Sequence, residues 1–173
     1  MPAAIRTVKS ADIGTTANAR AHPPPLPPAG GHRSPAPRSA RGLFDQAVHE
    51  QAEAVTATHP YDRYCGAHMA ALRAAAAVVA ARSVPAPPGR RRPRSVWDLL
   101  YREAPELADW AAYFASGATR RAAAQAGLPN AVSEQEAADL VRESEVFLGL
   151  VAEMLGIPYQ NGLPYAQGEQ AAS

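Results

Sequence analysis

The stretch YDRYCGAHMAALRAAAAVVAAR, residues 61–82, decides the fold of this chain. Its apolar and aromatic positions recur in steps of three and four residues, which traces one face of an amphipathic helix. These positions are Tyr61, Tyr64, Cys65, His68, Leu72, Ala75, Ala76 and Val79. Pro60 suits the first turn of such a helix, because its missing N–H would be unpaired there in any case. The pattern therefore predicts one helix from Pro60 to about Arg82.

The same helical period continues on both sides of this stretch, and alternating β-branched runs do not occur after residue 41. Ser95 and Ser133 are suitable N-caps, each with an acidic residue three positions on. Further helices are predicted over residues 43–58, 96–100, 105–126 and 133–155. Short connections between helices of this length are typical of an antiparallel bundle. We therefore predict an all-α fold, an antiparallel four- to five-helix bundle with a disordered Pro/Arg-rich N-terminal tail.

The first 41 residues differ in composition from the rest of the chain. They carry six basic side chains against one acidic side chain, a net charge of +5, which leaves −4 for the remainder of a chain of net +1. The run HPPPLPP at residues 22–28 cannot form a helix interior. We predict a disordered basic tail over residues 1–41, a bundle over residues 42–157 and a flexible C-terminal tail over residues 158–173. The basic tail is interpreted as a Pro-rich ligand, a nucleic-acid arm or a passive extension.

Cysteine usage and targeting signals narrow the class of protein. Cys65 is the single cysteine, which excludes an internal disulfide and a cysteine-based metal cluster. The N-terminus lacks the apolar region of a signal peptide, and the run of small apolar residues at 74–81 is too short to cross a membrane. A cytoplasmic location fits these features. The histidines show no ligand spacing and no Gly-rich phosphate loop is present, so we expect neither a metal nor a cofactor.

Three blocks of the sequence agree, in order, with a known family. They are DRYCGAHMAALRAAAAVVAAR at 62–82, RPRSVWDLL at 92–100 and APELADWAAYFASGATRRAAAQAG at 104–127. On these blocks the chain resembles HEPN domains (higher eukaryotes and prokaryotes nucleotide-binding), and in particular a small SAV-like subgroup from GC-rich bacteria. The resemblance covers residues 43–156, which is nearly all of the predicted bundle.

HEPN domains are helical bundles that often form dimers, and many are metal-independent RNases with an R-x4-6-H motif. Arg63 and His68 match that spacing. The resemblance implies that His68 acts as general base on the ribose 2′-hydroxyl, and that Arg63 stabilises the negative charge developing on the phosphate. It also implies a homodimer, with the Arg/His pair at the subunit interface.

The same residues also support a function without catalysis. Five residues along a helix place Arg63 and His68 about 140° apart. Tyr64 occupies the position after the arginine, where active members usually have a small polar residue. His68 lies on the apolar face of its helix, a position typical of a neutral core histidine. We therefore favour a HEPN-like module that binds RNA, a nucleotide or a protein, and keep the RNase as the alternative.

A basic cluster precedes the third predicted helix. It consists of Arg90, Arg91, Arg92 and Arg94, which lie in a proline-rich loop close to Trp97. Arginines grouped in this way neutralise phosphates, so the cluster is predicted to bind RNA or an acidic protein partner. The alternative is a flexible basic linker that keeps an acidic body in solution.

Overall fold

The structure is a computed structural model that describes residue 24, residues 36–83 and residues 95–160. Within these residues the chain forms helices and turns, and no strand. In chain order the helices are α1 (Arg38–Thr56), α2 (Pro60–Arg82), α3 (Val96–Glu103), α4 (Ala108–Ser116), α5 (Ala118–Gln125) and α6 (Glu134–Leu155), with a 3-10 turn at Pro105–Leu107 before α4. The predicted all-α bundle is confirmed.

The helix ends follow local chemistry. Ser95 accepts a hydrogen bond from the Asp98 backbone N–H, and the Asp98 carboxylate accepts one from the Ser95 backbone N–H, both at 3.1 Å. Ser133 and Glu136 form the same reciprocal pair at the start of α6. α6 ends at Gly156, whose φ of 63° lies in the left-handed region that glycine adopts without a steric cost. Both predicted capping boxes are therefore confirmed.

α1 begins earlier than the apolar pattern indicates. It starts at Arg38 and not at Leu43, because the backbone N–H of Arg41 already bonds to the carbonyl of Pro37 at 3.0 Å. Ala40 in this first turn is fully buried. A small residue of this kind adds little to a hydrophobic period, so the periodicity missed the turn. Most of the predicted N-terminal tail lies outside the described residues.

The helix predicted over residues 105–126 is divided. A 3-10 turn precedes α4, and Gly117 separates α4 from α5. The Gly117 backbone N–H bonds to the Phe114 carbonyl at 3.1 Å, which is an i→i−3 bond in place of the α-helical one. A Cβ on Gly117 would lie 2.9 Å from the Tyr64 hydroxyl, so any larger residue would have to displace that hydroxyl.

α1 runs antiparallel to α2, and the two helices pack closely. Gly66 near the start of α2 faces Ala54 near the end of α1, where an added Cβ would meet the Ala54 Cβ at 3.0 Å. Further along α2, Arg73 pairs with Glu50 at 3.1 Å. The many alanines on α2 permit this spacing, since they bring little side-chain volume between the backbones.

α1 also runs antiparallel to α6, so α2 and α6 share one direction. The middle of α1 reaches the middle of α6 through Gln51, whereas Phe44 near the start of α1 contacts Tyr159 just beyond the end of α6. The Phe44 and Tyr159 ring centroids are 5.5 Å apart in an edge-on arrangement. Tyr159 belongs to the predicted C-terminal tail, of which residues 161–173 lie outside the described residues.

Aromatic side chains fill the core between α3, α4 and α6. Phe114 is at the centre, with its ring centroid 5.5 Å from Trp97, 5.9 Å from Trp110 and 5.2 Å from Phe147. Phe114 and Phe147 have no exposed surface. α2 is long and apolar enough by composition to cross a membrane, but half of its most apolar window is buried against the other helices, as expected for a core helix.

One buried polar pair connects α1 with α6. Gln51 donates from Nε2 to the Val141 carbonyl at 2.9 Å, and the Ser144 hydroxyl lies 2.7 Å from Gln51 Oε1. Both side chains are almost fully buried. Buried polar groups of this kind are stable only while each has its partner.

Replacement of Ser144 by Ala is expected to destabilise the fold by about 1–3 kcal/mol, because it leaves the buried Gln51 Oε1 without a donor. The double variant Gln51→Leu/Ser144→Ala should lose less than the sum of the two single variants, since no orphaned acceptor remains. Urea denaturation followed by circular dichroism measures all four proteins. Strictly additive losses would show that the two side chains do not depend on each other.

Candidate functional site

His68 lies inside the bundle. Its side chain is on α2 and is 1% exposed. Nε2 is 3.0 Å from the backbone oxygen of Phe114 in the last turn of α4. A carbonyl oxygen only accepts hydrogen bonds, so Nε2 carries the proton and Nδ1 is the unprotonated nitrogen of a neutral ring. Nδ1 is buried and has no hydrogen-bond partner.

Aromatic rings enclose the same imidazole. Trp97 and Phe114 present their rings edge-on to it, with centroid distances of 5.9 and 6.3 Å. Burial lowers the pKa of His68, the Phe114 carbonyl opposes that shift, and the positive charge of Arg121 adds to it. His68 is therefore a neutral core histidine in this conformation, as the apolar face of α2 predicted.

Arg63 points to a different part of the bundle. Its Nη1 is 3.4 Å from a carboxylate oxygen of Glu134, the first residue of α6. A quarter of the Arg63 side chain is exposed, and its Nε is buried without a hydrogen-bond partner. The contact joins the first turns of α2 and α6, so Arg63 has a structural role.

Arg63 and His68 face different neighbours. Arg63 pairs at the start of α6, whereas His68 bonds to the end of α4, in keeping with the angle of about 140° that five helical residues span. No hydrogen bond joins the two side chains in the described part of the chain. The catalytic roles of Arg63 and His68 remain predictions.

A group of polar side chains that the sequence did not indicate surrounds Tyr64. Burial raises the pKa of the Tyr64 phenol, and Arg120 opposes that shift by a hydrogen bond and by its charge. Arg120 also approaches the Glu136 carboxylate at 3.5 Å. Burial raises the pKa of nearby Tyr113 to about 12. Both phenols are protonated at neutral pH, so they serve as hydrogen-bonding groups and not as bases.

The other candidate positions differ in what the structure shows of them. Cys65 is half-buried with its Sγ 3.9 Å from the Arg121 carbonyl, and burial raises the pKa of this thiol, which keeps it protonated. Within residues 36–83 and 95–160, no three His, Cys, Asp or Glu side chains come together as a metal site. The predicted nucleic-acid-binding arginines, Arg90, Arg91, Arg92 and Arg94, lie outside the described residues.

The buried imidazole makes stability depend on pH. Because the pKa of His68 is lower in the folded chain than the value of about 6.5 in an unfolded one, acid favours the unfolded state. Above pH 7 the ring is neutral in both states, so the free energy of unfolding has its full value with respect to His68. Below about pH 6.5 the unfolded chain binds a proton that the folded chain does not, and the free energy of unfolding falls by at most about 1.4 kcal/mol per pH unit. Urea midpoints should therefore fall more steeply between pH 7.5 and 5 for the native chain than for His68→Gln. Equal slopes would contradict this assignment.

The comparisons with known proteins agree with the helical architecture. A family model described as HEPN_SAV_6107-like HEPN matches residues 54–152, which run from the end of α1 almost to the end of α6. Neither the curated proteins nor the solved structures gave a match. The family match spans more than half of the chain and includes α2, α3, α4 and α5 in full. This chain belongs to the HEPN family.

Proposed function

We propose that the protein is a HEPN-like helical module that acts by binding and not by catalysis. The state of His68 carries this proposal. Its ring is 1% exposed and its Nε2 proton is engaged by the Phe114 carbonyl. A general base must reach the proton it removes, at a heavy-atom distance of about 2.6–3.2 Å. In this conformation His68 offers no such access to an RNA hydroxyl.

The second half of the motif supports the same view. A catalytic arginine has to direct its guanidinium to the phosphate held near the base. The Arg63 guanidinium instead contacts Glu134 at the start of α6, whereas His68 is held by a carbonyl at the end of α4. Catalysis would need a rearrangement of both side chains, whereas binding needs none.

RNA is the ligand that we propose first, with an acidic protein as the other class of partner. The basic cluster Arg90, Arg91, Arg92 and Arg94 supports this choice by its composition, because four cations within five residues concentrate the positive charge that neutralises phosphates. A cytoplasmic location and a homodimer belong to the same proposal.

Replacement of all four clustered arginines by Ala is expected to weaken binding of a single-stranded RNA and to flatten its salt dependence. Each lost phosphate contact should reduce the slope of log K against log salt by about 0.7. Fluorescence anisotropy with a labelled 20-nucleotide RNA, at 50 to 200 mM salt, measures both quantities.

The chain offers a charge-matched control. Changing Arg6, Lys9, Arg20 and Arg33 to Ala removes four positive charges from the N-terminal tail and leaves the cluster intact. Specific binding by the cluster requires that this control lose much less affinity. Equal losses would assign binding to net charge, and no binding at 50 mM salt would remove RNA as the ligand.

The RNase alternative makes an opposite prediction. A metal-independent RNase would cleave RNA in the presence of a chelator, and His68→Gln and Arg63→Ala would each lower the rate by about 100-fold or more. Glutamine is chosen because its Nε2 can still donate to the Phe114 carbonyl and so preserve the fold. We expect no cleavage above background in any of the three proteins. If the native chain cleaved RNA and both substitutions abolished the cleavage, the RNase alternative would replace the binding proposal.

A further inference from the structure

α5 is weakly anchored to the rest of the bundle. Of its eight residues only Ala124 is buried. α4 is of similar length but buries Trp110, Ala111 and Phe114. The difference matters because a helix of two turns has no stability of its own and depends on the surface it buries.

The polar contacts of α5 add little to this anchor. Arg120 meets Glu136 at 3.5 Å, and about two-fifths of each side chain is exposed, a setting in which ion pairs contribute little. Arg120 also hydrogen-bonds to the Tyr64 hydroxyl, so this contact must break when α5 moves. Arg121 reaches the sulfur of Met69 with Nη1, its Nε is buried without a partner, and among the described residues it forms no ion pair. These contacts fix the position of α5 on the bundle but contribute little to its stability.

Both ends of α5 have a glycine. Gly117 separates it from α4, and Gly127 follows its last turn with a φ of +69°. Glycine changes its backbone dihedrals at lower cost than any other residue, so these positions can absorb a movement of the segment between them. The following residues, 128–130, are exposed, and the Asn130 N–H donates to the Tyr61 hydroxyl at 3.1 Å, which attaches the loop beyond Gly127 to α2.

α5 and its first glycine cover polar groups of α2. A Cβ on Gly117 would lie 2.9 Å from the Tyr64 hydroxyl and 3.4 Å from Cδ2 of His68. The Cys65 sulfur is 3.9 Å from the Arg121 carbonyl. The edge of the imidazole that bears Nε2 is therefore closed from this side by the junction of α4 and α5.

We propose that α5 is a lid that opens between Gly117 and Gly127 while α1, α2 and α6 stay folded. The open state separates Arg120 from the Tyr64 hydroxyl and the Arg121 carbonyl from the Cys65 sulfur, the two groups of α2 on which α5 lies, while His68 stays bonded to the Phe114 carbonyl of α4. The opening follows from the packing of α5 and does not depend on which molecule the protein binds.

Hydrogen exchange of the full-length chain tests the opening. At neutral pH the amides of residues 118–125 should exchange at least about 100-fold faster than those in the middle of α2, because exchange of a locally opening segment follows its own opening equilibrium. Amides of α5 that exchange as slowly as those of α2 would overturn the proposal.

Two alanines of α5 provide a matched pair of variants for the opening of the lid. Ala124→Gly removes the single buried methyl group, whereas Ala122→Gly changes an exposed position of the same helix. Both lose helix propensity and should open about fivefold more often. Ala124→Gly should open a further fourfold or so, because its methyl group also leaves the core.

Exchange of the α5 amides, read from peptide masses, reports how often the lid is open in each variant. The rate should increase in the order native chain, Ala122→Gly, Ala124→Gly, with α2 and α6 exchange unchanged. Equal α5 exchange rates in the three proteins would overturn the proposal. Acceleration of α2 and α6 exchange in step with α5 would show global unfolding and no lid.

Discussion

A single hydrogen bond fixes the position and the tautomer of the one fully buried histidine in the described part of the bundle. The His68 Nε2–H group donates to the Phe114 carbonyl at 3.0 Å, and this bond fixes the end of α4 against α2. The same carbonyl also accepts the Gly117 backbone N–H at 3.1 Å, so two donors converge on one oxygen in the last turn of α4. The bond selects the imidazole tautomer that carries its proton on Nε2, while burial lowers the pKa of the ring and keeps it neutral.

Much of the fold follows from local sequence chemistry, because caps and apolar stripes act within one helix. The two capping boxes and the glycine at the end of α6 could be predicted residue by residue. The close contact at Gly117 could not, because the group it approaches lies on another helix. Only the position of the Tyr64 hydroxyl shows that a side chain at residue 117 would collide with α2. With the break unknown, Arg120 and Arg121 would complement a helix C-terminus, whereas in the structure they lie near the start of α5.

The candidate site was predictable only in its buried part. The apolar face of α2 predicted that His68 points inward, and the helical angle predicted that Arg63 does not. The Phe114 carbonyl and Arg120 are 46 and 56 residues from their contacts on α2, and no pattern in one sequence connects them. The basic cluster at 90–94 was recognisable by composition alone, since phosphate neutralisation needs charge density more than a fixed geometry.

Membership of the HEPN family fixes the helical scaffold and leaves the chemistry to individual side chains. With five histidines and sixteen arginines in the chain, an Arg/His pair at one of the three allowed spacings is expected roughly 1.4 times by chance. Burial therefore carries more information than the motif. Burial in the aromatic core lowers the pKa of His68, so the ring is a weaker base than a histidine in water. For His68 to act on a substrate, the Phe114 carbonyl at the end of α4 and the rings of Trp97 and Phe114 must first move away from the imidazole.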